Sequence, residues 1–104
     1  MNEALNFVGI IKKSGNLLVG YNSCEKAIKS NKKIYLVILA HDVSDNTFDL
    51  FERLSKAKDF KIIRYFDKKS LGKILGKEEI GVIGIRDKNL TNSILNIINS
   101  RGDE

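Results

Sequence analysis

Three groups of residues in this chain could do chemistry, and each implies a different one. Cys24, His41 and Asp42 supply a thiol, the chain's one imidazole and a carboxylate, the parts of a nucleophile, base and orienter. Cys24, however, shares a helical stripe with Ala27 and Ile28, which predicts a buried, inert thiol. Asp42 directly follows an apolar run, where a carboxylate serves as a turn cap. The second group, "GKILGKE" from Gly72 to Glu78, resembles a phosphate-binding loop. Its glycine spacing is one residue short, Glu78 stands where a magnesium-binding Ser or Thr is needed, and the stretch falls in a helical pattern rather than after a strand. Read structurally, Gly72 permits close helix packing and Gly76 ends the helix. No catalytic residue is therefore assigned.

The third group is "VGYNSCEKAIKS", Val19 to Ser30. Gly20 allows a close backbone approach, and Asn22 has both donor and acceptor for base edges. Lys26 and Lys29 donate to phosphate or guanine. Lys68, Lys69, Lys73 and Lys77 form a second basic group around another short helix. A helix start adds free N–H groups and the positive end of a dipole, both suited to phosphate oxygens. The competing reading is a capped helix with a solvated basic face: Asn22-x-x-Glu25 has the form of a capping arrangement.

The elements that must hold these residues alternate along the chain. Asn2 caps a first helix with Leu5, Val8 and Ile11 inward and Gly15 as its stop. Leu17 to Val19 is a short strand. A second helix follows, with Lys26 and Lys29 in its first turns. "IYLVILA", Ile34 to Ala40, reads as a central strand covered on both faces. Ser44 or Asp45 caps a helix bearing Phe48, Phe51 and Leu54. Lys61 to Phe66 is a strand, Asp67 caps the helix "KKSLGKILG", Gly81 to Ile85 is a strand, and a last helix starts near Thr91 with Ile94, Ile97 and Ile98 inward. Such alternation predicts an α/β fold, a three-layer α/β/α sandwich with a four-stranded mixed sheet.

The 104 residues fit one domain, residues 1–104, with 42% apolar and 30% charged side chains. One Cys excludes an internal disulfide, and one Cys with one His argues against a structural zinc site. The apolar stretch near the start ends at Lys12 and Lys13 without a cleavage pattern, and no run reaches membrane-spanning length, so a cytoplasmic protein with no membrane partner is expected. The net charge of +5 is concentrated in two blocks: residues 1–33 and 61–88 each carry +4, with −2 between them. Placed side by side, the two blocks would make one patch for a polyanion.

In order and spacing, "GYNSCEKAI", "LVILAHDVSDN", "KKSLGKILGK" and "GVIGIRD" resemble the kink-turn RNA-binding ribosomal proteins of the L7Ae and L30e group, especially their small bacterial YlxQ-like members. The resemblance covers essentially the whole chain. It implies a three-layer α/β/α sandwich that binds a bent RNA with tandem G·A pairs, without catalysis or cofactor. On that resemblance Gly20, Asn22, Ser23, Lys26 and Lys29 would approach the distorted groove, with Asn22 and Lys26 on guanine edges. Ser23 stands where many members have glutamate. Lys68 and Lys69 would lie near the RNA backbone, and Lys77, Glu78, Glu79 and Ile80 would form a loop over an extruded base. The implied partners are structured, ribosomal-type RNA and neighbouring ribosomal proteins, bound by a monomer. A protein-interaction module of the same fold is the runner-up. The substrate-binding domain of an RNA-modifying enzyme ranks last, for want of a catalytic partner.

Overall fold

The computed structural model describes residues 2–100. Its elements run α1 (Glu3–Lys13), β1 (Leu17–Val19), α2 (Tyr21–Lys29), β2 (Leu36–Leu39), α3 (Asp45–Lys58), β3 (Lys61–Arg64), α4 (Lys68–Leu75), β4 (Val82–Ile85) and α5 (Lys88–Ser100). The four strands form one mixed sheet in the order β1-β4-β2-β3. β2 and β3 are parallel, while β4 runs antiparallel to both β1 and β2. The expected architecture is thus present.

The pleat of β2 explains the layers. Leu36 and Ile38 join one core with Val8 and Ile11 of α1, Leu71 and Leu75 of α4, and Ile94 of α5. Val37 and Leu39 point the other way, to Cys24, Ala27 and Ile28 of α2 and Phe51 of α3. All four β2 residues are buried, which is why the strand reads as an unbroken apolar run. Burying each such aliphatic side chain contributes about 1.5–3 kcal/mol before entropy is counted. On β4 the same alternation sends Ile83 and Ile85 to the first core, while Gly84 faces Cys24, whose Sγ would lie 3.3 Å from a Cβ there.

Several boundaries differ from the sequence expectation, each for a local reason. α2 begins at Tyr21 on Gly20, which holds φ 99°, so Asn22 is inside the helix and does not cap it. Lys26 and Lys29 consequently fall in the last turn of α2 rather than its first turns. α5 begins at Lys88, a turn before Thr91, because the Asp87 carboxylate accepts the Leu90 N–H at 2.8 Å. β3 stops at Arg64, two residues before Phe66, which adopts φ 69°. Gly72 packs against a loop rather than a helix: a Cβ there would collide with the Glu78 carbonyl. Among the described residues, no helix is long and apolar enough to cross a membrane.

Candidate nucleic-acid interface

Because β1, β2 and β3 run parallel and β4 opposes them, three helices start at one end of the sheet. The chain turns into α2 at Gly20, into α3 at Ser44 and into α4 at Asp67. β4 starts at the same end, after the 76–81 loop. These mouths enclose a cleft of about 230 Å³ lined by Tyr21, Val43, Ser44, Thr47, Lys68, Gly81 and Val82. Sequence reasoning missed six of these, Tyr21, Val43, Ser44, Thr47, Gly81 and Val82. The available signal was topological: residues just beyond the carboxyl ends of parallel strands gather at one crevice.

Among the described residues, four of the five helix starts are closed by a side chain. Asn2 accepts from the Leu5 N–H, Ser44 from the Thr47 N–H, Asp67 from the Ser70 N–H and Asp87 from the Leu90 N–H. α4 is closed twice, since Asp42 Oδ1 also accepts the Lys68 N–H at 3.0 Å. The Ser70 hydroxyl and N–H hold the exposed Asp67 carboxyl below the usual carboxylate range. α2 has no such cap. The Gly20 N–H donates to the Val82 carbonyl at 2.8 Å, and the first N–H to find a partner inside the helix is that of Cys24, on Gly20. The N–H groups of Tyr21, Asn22 and Ser23 therefore remain open donors at a positive dipole end. A Cβ on Gly20 would meet nothing within 4 Å, so the turn lies bare at the surface and glycine is required by φ alone.

Asn22 and Lys26 are four residues apart in α2 and share a face. Both are exposed, as is Ser23, and among the described residues none of the three side chains has an internal partner. Tyr21 is 39% exposed, with its ring edge-on to Phe51 at 5.5 Å. Lys29 lies two turns from the mouth, tied to Glu25 at 3.0 Å. Lys68 lines the cleft and lies 3.9 Å from Glu79, a contact in solvent worth at most about 1 kcal/mol. Lys69 is exposed beside it.

The 76–81 loop folds back over α4: the Lys77 N–H donates to the Gly72 carbonyl and the Ile80 N–H to the Lys68 carbonyl. Glu78 and Glu79 are exposed on it, while Ile80 is partly buried against the core. Arg64 is occupied, donating to the carbonyls of His41 and Val43 and lying over the Phe48 ring.

Cys24 is fully buried, and burial pushes its thiol up to about 12. It is a core residue, so the Cys24–His41–Asp42 grouping has no reactive nucleophile. Among the described residues no cluster of His, Cys, Asp and Glu is arranged to hold a metal ion.

Charge differs between the two ends of the sheet. At the mouth, Lys26, Arg64, Lys68, Lys69 and Lys77 accompany Asp42, Asp45, Asp67, Glu78 and Glu79, a balance of charge. At the other end, each connection is basic: Lys12 and Lys13 before β1, Lys29, Lys32 and Lys33 before β2, Lys56, Lys58 and Lys61 around the start of β3, and Arg86 and Lys88 after β4. Asp59, Asp87 and the Glu25 paired with Lys29 are the carboxylates there. The expected single patch around the mouth is therefore corrected. α2 and α4 lie on opposite faces of the sheet, so Lys26 and Lys69 do too, and most of the positive charge sits at the far end.

The family model for the ribosomal protein L7Ae/L30e/S12e/Gadd45 family matches residues 3–95. A solved structure of a protein with unknown function from Bacillus halodurans has the same fold, with a TM-score of 0.85 at 23% identity over 95% of this chain and 99% of that one. None of the curated proteins matches the sequence.

Proposed function

The chain belongs to the ribosomal protein L7Ae/L30e/S12e/Gadd45 family, which supports an RNA-binding protein of ribosomal type, and on that premise we propose that it recognises a bent, kink-turn-like RNA at the α2 mouth without catalysing a reaction. The observation that carries this reading is the one helix start left without a side-chain cap, on a glycine at φ 99°, with Asn22 and Lys26 unpartnered beside it. Open N–H groups grip a phosphate or sugar oxygen. Asn22 and Lys26 then reach base edges, with Gly20 letting the backbone come close. Lys68 and Lys69 accompany the RNA backbone from α4, and the Lys77–Ile80 segment covers a displaced base. Ser23 keeps its hydroxyl for the same groove, while Lys29 stands too far down α2 to join it. Since the mouth is nearly charge-balanced, discrimination there comes from hydrogen bonds and shape rather than net attraction. The YlxQ-like branch rests on the sequence resemblance.

The test is fluorescence anisotropy of the full chain on two labelled RNAs at matched salt. One is a bent hairpin with tandem G·A pairs and the other a plain duplex. Preference for the hairpin, reduced by Asn22→Ala and Lys26→Ala, is the expected result. Equal binding to both RNAs, untouched by either substitution, removes the reading.

One observation favours the runner-up, a protein-interaction module. The groove between α1 and α4, about 550 Å³, is floored by Gly9, Ile10 and Ile74, and Ile10 is 54% exposed. A hairpin preference unaffected by Ile10→Asp separates the RNA reading from this one.

A further inference from the structure

The cations at the far end of the sheet are only partly explained by helix stability. Lys29 and Lys58 sit in last helical turns, where positive charge complements the dipole, and they are already engaged by Glu25 and Asn31. Lys32, Lys33, Lys61 and Lys88 do not fit that account. Lys32 and Lys33 lie beyond the end of α2, Lys61 opens a strand, and Lys88 stands at the first turn of α5, where the dipole disfavours a cation. All four are exposed, and Lys32, Lys61 and Lys88 have no side-chain partner among the described residues. Lys33 only lies over the Tyr35 ring, at 5.1 Å.

We propose that this end is a second RNA-binding pole. It holds the phosphate backbone of a different RNA segment from the one read at the α2 mouth, so that one molecule bridges two segments. The inference rests on the RNA-binding reading above. RNA affinity comes largely from phosphate neutralisation, and the charge-balanced mouth supplies little of it. The far end supplies it from connections that cross the four-stranded sheet. Three strand spacings span about 14 Å, enough to meet several phosphates of a double-stranded segment. Asp59, Asp87 and the Glu25 tied to Lys29 are too few to cancel the field, and of the amides at this end Asn31 accepts from Lys58 at 2.7 Å and Asn16 donates to Ser14 at 3.1 Å, leaving Asn89 as the one exposed amide among ten cations. The pole is therefore sequence-independent, while the mouth is selective.

The test uses the full chain with Lys32, Lys33, Lys61 and Lys88 all changed to Gln. Binding of the bent hairpin and of a plain RNA duplex is measured by anisotropy between about 50 and 200 mM salt. The slope of log affinity against log salt on the plain duplex should fall by about 0.9 for each phosphate that is no longer neutralised, leaving the hairpin preference intact. Wild-type protein should also hold a donor-labelled hairpin and an acceptor-labelled duplex together, giving energy transfer that the variant loses. If the variant melts earlier than wild type, Lys61→Gln and Lys88→Gln separately should each lower the slope by about one unit. An unchanged slope in protein that still binds RNA overturns the pole and leaves the mouth reading standing. Failure of wild-type protein to bind either RNA overturns both. Co-sedimentation with phosphatidylglycerol vesicles that the substitutions abolish, with the RNA slope unchanged, assigns the cations to a membrane surface and overturns the proposal.

Discussion

The Gly20 amide and the Val82 carbonyl, 2.8 Å apart, pin the turn into α2 to the first residue of β4. The bond fixes the uncapped helix start against the sheet while spending one of the four N–H groups that the helix could not use. What remains open at that start, the next three N–H groups, faces outward. On the proposed reading, recognition and stability are carried by different atoms of the same turn.

Asn22 therefore has no capping duty. Asn22→Ala should change stability by no more than about 0.5 kcal/mol, as for other surface positions, yet cost about 1–3 kcal/mol of preference for the bent RNA. Gly20→Ala should lose about 1–3 kcal/mol of stability because φ 99° strains any other residue, and should also weaken binding of the bent RNA by holding the backbone away. Urea melts of both variants, beside anisotropy on the two RNAs, separate the effects.

Cys24 gives a pH signature. Its folded pKa of about 12 lies above the ordinary 9.0, so the folded state keeps a proton that the unfolded chain releases. The stability this confers is complete below pH 9.0 and is lost as pH rises through about 12. In that window the loss approaches about 1.4 kcal/mol per pH unit. Cys24→Ala should remove this component of the alkaline slope, read from urea midpoints at several pH values. A thiol reagent should label native wild-type protein far more slowly than the unfolded chain.

Asp67 acts in the opposite direction at low pH. Its folded pKa is depressed, chiefly by the Ser70 hydroxyl and then by the Ser70 N–H. The stabilisation is present above the ordinary value of 3.8 and is lost as pH falls through the lower folded value. Asp67→Ala should flatten that part of the acid unfolding curve. A carboxyl titration followed by NMR should place Asp67 below the exposed carboxylates.

Gly72 packs against backbone, which cannot swing aside. Gly72→Ala drives a methyl group into the Glu78 carbonyl, and overpacking of this kind costs about 1–3 kcal/mol. The 76–81 loop should shift as a result. Amide exchange should quicken at Lys77 and Ile80, whose N–H groups bond back to α4.

Much of this was legible in the sequence because period and caps agree. Val8 with Ile11, the unbroken Leu36–Leu39 run, and Ser44, Asp67 and Gly76 at helix boundaries each point to the element observed. The Asn22-x-x-Glu25 pattern misled because a glycine at positive φ had already started the helix at Tyr21. Cleft residues such as Val43 and Gly81 were hidden for another reason. They are far apart in the chain and meet only through the strand order, which depends on long-range pairing that local pattern does not encode. The charge blocks failed likewise. Linear blocks do not reveal which end of a sheet a connection occupies.

The place of β4 has a consequence for how the molecule comes together. It is the last strand in the chain yet lies second in the sheet, between β1 and β2, and β1 pairs with nothing else. A chain stopped at residue 80 holds only the parallel β2–β3 pair, with β1 unpaired and the inner edge of β2 bare. Completion of the sheet must wait for a strand more than sixty residues after β1, a loop closure whose entropy is spent before its contacts are gained. During synthesis, the apolar face of α1 can rest on β2 and α4 once residue 75 is made, but its core is completed only when Ile83, Ile85 and Ile94 arrive.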